Sequence, residues 1–216
     1  MFYLAAPVSK AVKRWFFGLV LAGLTLPLLS VFSNTGADSL VTAGQLAGIA
    51  ALPAALVTWL LHPALILRNI SQRKRKRSDA SLLFWKAGLC TALLIIPVAA
   101  AALWITDPRW QVLFGWLAIW GWAGMIMHGM LSRIVPFLVW FHRYSAKVGL
   151  ELVPSMRSLF PQARIKAGFI LHSGSVLIGS IAILSQVNWL AQLTGIMLIA
   201  TAISLASMLI HVLKRR

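Results

Sequence analysis

The chain has 216 residues, 60% of them hydrophobic and only 11% charged, with a mean hydropathy of +0.85. Soluble domains carry roughly 25% charged residues, so a water-soluble globular protein is excluded. The 20 Lys and Arg against 4 Asp and Glu give +16, yet the bases sit between apolar runs rather than on an amphipathic face, which argues against nucleic acid as a partner.

A helix needs roughly 20 apolar residues to cross the hydrocarbon layer, and six runs reach or approach that length. In chain order they are residues 15–33, 43–67, 81–105, 110–131, 167–186 and 189–213, the third interrupted only by Lys86. The runs are long and lack the alternation of a membrane β-barrel, so they predict helices. The expected fold is an all-α polytopic bundle of six transmembrane helices in one integral membrane domain, 1–216. Pro27, Pro53 and Pro97 fall inside runs and should kink helices rather than end them. The first run is longer than a signal-peptide core of roughly 7–15 residues and no A-x-A site follows, so it reads as a retained span. From Trp110 to Phe141 the fourth run would make about 48 Å of helix. A break near Ser132–Pro136 is therefore expected, followed by an interfacial segment over about 134–145 whose Trp140, Phe141 and Tyr144 suit the head-group layer.

The loops orient these spans. All bases except Lys86, Arg109 and Arg133 lie before the first span, between the second and third, between the fourth and fifth, or after the sixth. The positive-inside rule then places both termini in the cytoplasm. The run Arg73-Lys74-Arg75-Lys76-Arg77 is read as a topology determinant that contacts anionic lipid head groups. Arg133 either snorkels to the same surface or pairs with a buried anion.

The four carboxylates, Asp38, Asp79, Asp107 and Glu151, all lie in loops or at span ends. Proton-coupled transport and paired-carboxylate catalysis lack the membrane-embedded acid they need. A single cysteine, Cys90, excludes a disulfide framework and a cysteine zinc site, and no phosphate loop, HExxH or GxSxG motif is present. No catalytic residue is assigned. Histidine is the commonest metal ligand, and His62, His128, His172 and His211 all fall toward the cytoplasmic side, which makes them candidate ligands of haem or a metal. The alternative is that they are hydrated interfacial side chains, since they lack ligand spacing. Gly168, His172, Ser175 and Gly179 recur at intervals of 4, 3 and 4, and Thr201, Ser204, Ser207 and His211 also share a face. Such small and hydroxyl stripes serve close helix packing in lipid.

The stretch GWAGMIMHGMLSRIVPFLVWFHRYS (121–145), followed by VPSMRSLFP (153–161), resembles a segment of bacterial multi-span proteins similar to subunit I of haem-copper (cytochrome c) oxidases. The basic loop and apolar helix at 68–96 are also similar to their C-terminal region. The resemblance implies an inner-membrane location and the company of haem, copper and electron transfer. The chain departs from that family in having far fewer spans, in placing its histidines toward the inner side, and in lacking a His-His pair, so no oxidase ligand is carried onto His128 or any other residue. The expected function is that of a non-catalytic partner in a membrane complex, respiratory in kind. The alternatives are a haem- or metal-binding redox protein using the inner-side histidines, and a small-solute or anion transporter using Arg133.

Overall fold

The computed structural model describes residues 9–33, 51–72, 79–155 and 162–214. The polar linker 33–39 beyond Ser33, the start of the second run (43–50) and the basic run Arg73–Arg77 lie outside the described residues. The described chain is helical apart from short connections, and it divides into two compact units, Met1–Lys76 and Arg77–Arg216.

The first unit holds α1 (Lys10–Ser33) and α2 (Ala51–Ser71). Gly23 of α1 approaches Ala54 of α2 so closely that a β-carbon at position 23 would collide with the Ala54 methyl. Over Val57–Leu61, α2 widens into a π-helical turn. Pro63 follows directly and is buried; its ring occupies the space, and removes the donor, that the carbonyl four residues back would use, and a wider turn relieves that clash.

The second unit holds α3 (Ala80–Trp104), α4 (Arg109–Lys147), α5 (Gln162–Ser185) and α6 (Asn188–Lys214). Helices α5 and α6 form the most extensive pair, joined by a tight turn in which Gln186 takes a φ of 56°. The unit is clasped at both ends. At one end Asp107 accepts hydrogen bonds from the Arg109 backbone and Nε, while Arg109 also donates to the Leu184 carbonyl at 2.9 Å, tying the α3–α4 turn to the end of α5. Those bonds from Arg109 hold the Asp107 carboxyl below its ordinary range. At the other end Asp79 caps α3 by accepting from the Ser81 N–H. Among the described residues Arg133, Arg143, Lys147, Arg164, Lys166 and Lys214 all belong to that second end, against Arg109 alone at the first, so the charge asymmetry read in the loops is built into the described part of this unit.

Five helices, α2 to α6, are long and apolar enough to cross a bilayer, which makes this a multi-pass membrane protein. Helix α1 is outside that set of five. Along α6, Ile196, Ile199 and Ile203 are each more than 60% exposed, at the 3-and-4 spacing of one helix face. A continuous apolar exposed face of this kind is what lipid solvates.

Two expectations are corrected. Helix α4 does not break near Ser132–Pro136 but runs on to Tyr144 and ends in a short 3-10 turn, Ser145–Lys147, so the stretch 134–145 expected at the interface is a continuation of that helix. Pro136 is fully buried inside the helix; it removes one N–H, and a packed ring at a helical φ need not end the helix. On α6 Thr194, Thr201, Met208 and Val212 are buried and Ser204 and His211 half-buried, so of the predicted stripe Thr201, Ser204, Ser207 and His211 only Ser207 departs. Ser207 is exposed and its hydroxyl bonds back to the Ser204 carbonyl. The stripe predicted on α5 holds: Gly168, His172, Ser175 and Gly179 are all buried.

Gly179 is the tightest point of that stripe, where a β-carbon would strike the Trp116 ring. Gly179→Val is expected to destabilise the second unit by about 1–3 kcal/mol through overpacking, read as a lowered unfolding midpoint in detergent. Gly115→Ala, at a position with nothing within 4 Å of its added methyl, should leave the midpoint unchanged.

Candidate functional site

The interior of the second unit carries one polar cluster, assembled from α3, α4 and α5. Its backbone origin is a π-helical stretch of α4, Leu117–Gly124. Gly121 and Gly124 lie in this stretch. A β-carbon at Gly121 would come within 2.7 Å of the Thr91 methyl on α3, and one at Gly124 within 3.4 Å of the His172 ring on α5, so only glycine lets both neighbours close in. The stretch presents Trp116 and Trp120 to α5, where the Trp116 indole N–H donates to the Val176 carbonyl at 3.1 Å and that of Trp120 to the Ser175 hydroxyl at 2.8 Å. Ser175 passes its own proton to the His172 carbonyl at 2.7 Å.

His128 and His172 meet at the centre of this cluster. Their Nδ1 atoms are 3.2 Å apart, and both rings are buried. Each is stacked on an aromatic ring: His128 on Phe84 with centroids 4.3 Å apart, His172 on Trp120 at 4.2 Å. His172 Nε2 lies 3.1 Å from the Trp120 carbonyl oxygen. A carbonyl can only accept, so Nε2 carries the proton of His172, and in the neutral ring Nδ1 is then an acceptor. The donor across the 3.2 Å contact is therefore His128 Nδ1–H. One lone pair is left over, on His128 Nε2. It faces Gly168, where a β-carbon would lie 3.1 Å from Nε2 and 3.4 Å from the Ser204 hydroxyl oxygen of α6.

The pair leaves one ring nitrogen for any further ligand. His172 uses both nitrogens within the protein, and His128 keeps only Nε2, which is closed in by Gly168. Among the described residues no group of three or more His, Cys, Asp or Glu side chains is placed to hold a metal ion. The other two candidate histidines lie elsewhere. His62 is in the first unit, half-buried in a cleft with Lys13, Phe16 and Leu65, and His211 is about two turns beyond Ser204 near the end of α6.

A second polar cluster sits at the basic end. Asp79 is 3.6 Å from Arg133 across α3 and α4, and Gln162 at the start of α5 donates to Asp79 while its carbonyl oxygen accepts from the Ala80 N–H at 3.1 Å. Arg133 thus has a carboxylate of the chain itself beside it, at the span end where the bases gather. The basic run Arg73, Lys74, Arg75, Lys76 and Arg77 lies outside the described residues. Sequence reasoning singled out both central histidines without pairing them, and it passed over Trp116, Trp120, Asp79 and Gln162 as partners. The signal for Asp79 was present, because an aspartate directly before the apolar run ASLLFW is a helix N-cap pattern.

Together the helices and clusters define a polytopic α-helical membrane protein with a buried polar cluster around a histidine pair. No protein family, curated protein or solved structure matches the chain.

Two consequences can be measured. His172→Phe strands the His128 Nδ1–H and the Trp120 carbonyl, at about 1–3 kcal/mol for each buried unpaired group. The double variant His128→Phe/His172→Phe, which removes both rings' polar atoms, should lose less than the sum of the single changes in chemical unfolding. Asp79→Ala should cost about 1–2 kcal/mol through the lost cap, and Arg133→Gln should cost less in that background than alone, as a double-mutant cycle would read.

Proposed function

We propose that this chain is a non-catalytic partner within a bacterial inner-membrane complex, respiratory in kind, with six spans and both termini in the cytoplasm. The observation that carries this reading is the internal bonding of the cluster around His128 and His172. The Trp116 and Trp120 indoles, Ser175 and three of the four ring nitrogens of the histidine pair bond to one another or to backbone carbonyls, which is what helix packing in lipid requires. The four carboxylates stand in loops or at helix ends, which argues against a proton or cation path through the helices. The respiratory setting rests on the resemblance of 121–145 and 153–161 to multi-span proteins similar to oxidase subunit I, and the basic clusters support the orientation.

The partner half of the reading is supported by an open groove of about 670 Å³ lined only by apolar side chains, among them Val112, Ile119, Leu198 and Ile199, with Gly115 between them. A groove with a glycine in its wall is suited to the ridge of a neighbouring transmembrane helix.

Extraction in mild detergent followed by native electrophoresis should find the protein in a larger assembly, and Gly115→Trp should release it. A protein that runs alone, together with unchanged respiratory activity in a deletion strain, would sink the proposal. A haem absorbance band or stoichiometric copper in the purified protein would replace it with the redox reading.

A further inference from the structure

We propose that the segment following α4, Val148–Pro154, is a membrane-surface anchor that seats its leucines in the leaflet at the basic end of the second unit and takes anionic phospholipid head groups on the flanking bases. This inference depends on the multi-pass fold and not on the accessory role proposed above.

Length comes first. Helix α4 with its terminal turn has 39 residues, about 58 Å at 1.5 Å per residue. The hydrocarbon layer is about 30 Å thick and the whole bilayer about 40–45 Å, so the last turns of α4 pass through the head-group layer. The chain does not continue outward from there. It turns at Gly149, whose φ of 89° is open to glycine and strained for other residues, and returns along the helix until the Pro154 carbonyl accepts from the Trp140 indole N–H at 2.9 Å. Trp140 is about two turns before the end of the helix. The loop is thereby held beside α4 at the depth of the head groups.

Chemistry comes second. Leu150 is 84% exposed and Leu152 fully so, with Val148 and Phe141 more than half exposed beside them. Four large apolar side chains in one short stretch are poorly suited to water and well suited to the boundary between head groups and acyl chains. The charges at this end select the sign of the lipid. The described acids here, Asp79 and Glu151, are paired with Arg133 and Lys147. Arg143 and Arg164 reach over the last turns of α6 to the carbonyls of Leu213 and Ser207, which sets their guanidinium groups around the same rim, and Lys166 and Lys214 add to it. Guanidinium carries five donors, so the carbonyl bond of Arg164 is compatible with bidentate capture of a phosphate. Exposed leucines ringed by bases fit an anionic bilayer surface better than a protein groove.

The test uses the full chain with Cys90→Ala and a single Leu150→Cys carrying a nitrobenzoxadiazole label, reconstituted in nanodiscs of phosphatidylcholine with or without phosphatidylglycerol. Lipids bearing a doxyl quencher near the top of the acyl chain should reduce the emission about twofold or more, aqueous iodide should have little effect, and phosphatidylglycerol should deepen the quenching. Lys147→Glu with Lys166→Glu should abolish the phosphatidylglycerol effect and leave the quenching in pure phosphatidylcholine intact. Leu152→Cys provides a second reporter should the first disturb the loop. Quenching by iodide alone would place the loop in water, and protection from both quenchers would place it against protein; either result overturns the proposal. Quenching that ignores lipid charge overturns the head-group half.

Discussion

A polar atom carried into the hydrocarbon layer has no water to fall back on, and the second unit is organised around that constraint. The contact between His128 and His172 is its focal case. One shared proton, one backbone carbonyl and two aromatic faces account for three of the four ring nitrogens. The partners come from three helices, Phe84 from α3, Trp120 and His128 from α4 and His172 from α5, so the pair fixes the rotation of α4 against α5 and brings Phe84 onto the same centre. The cost of leaving such a group unpaired is of order 1–3 kcal/mol, comparable to a sizeable part of a protein's whole stability margin.

The glycines make that centre reachable. A histidine pair can bond across two helices only if the backbones come close, and Gly121, Gly124, Gly168 and Gly179 stand at the approaches. The π-helical stretch of α4 contributes in the same way: it aims two indoles and a backbone carbonyl at one face of α5. Wide turns of this kind often occur at functional sites. Here the stretch serves the fit between helices.

The two ends of the unit differ in kind. One end is clasped by the Asp107–Arg109 pair and carries little other charge. The other gathers the bases, pairs two of them with the acids there, and extends α4 beyond the apolar layer. A membrane protein so divided has one quiet end and one end equipped to meet anionic surfaces, whether lipid or partner.

Much of the fold was legible in the sequence because the bilayer imposes a length. The runs 81–105, 167–186 and 189–213 found their helices within a few residues, and the stripe from Gly168 to Gly179 announced the buried face of α5 through its spacing alone. The fate of α4 was not legible. A proline beside an arginine reads as a break, and only the neighbouring helices, by burying Pro136 and supplying Asp79 to Arg133, allow the helix to run through. The same holds for the site. Composition and periodicity placed His128 and His172 inside the membrane, but residues 44 positions apart meet only when helix rotation and depth are both fixed. Hydropathy is a property of each segment and can be read one segment at a time. The pairing of polar groups depends on which faces meet, and that was decided by tertiary packing.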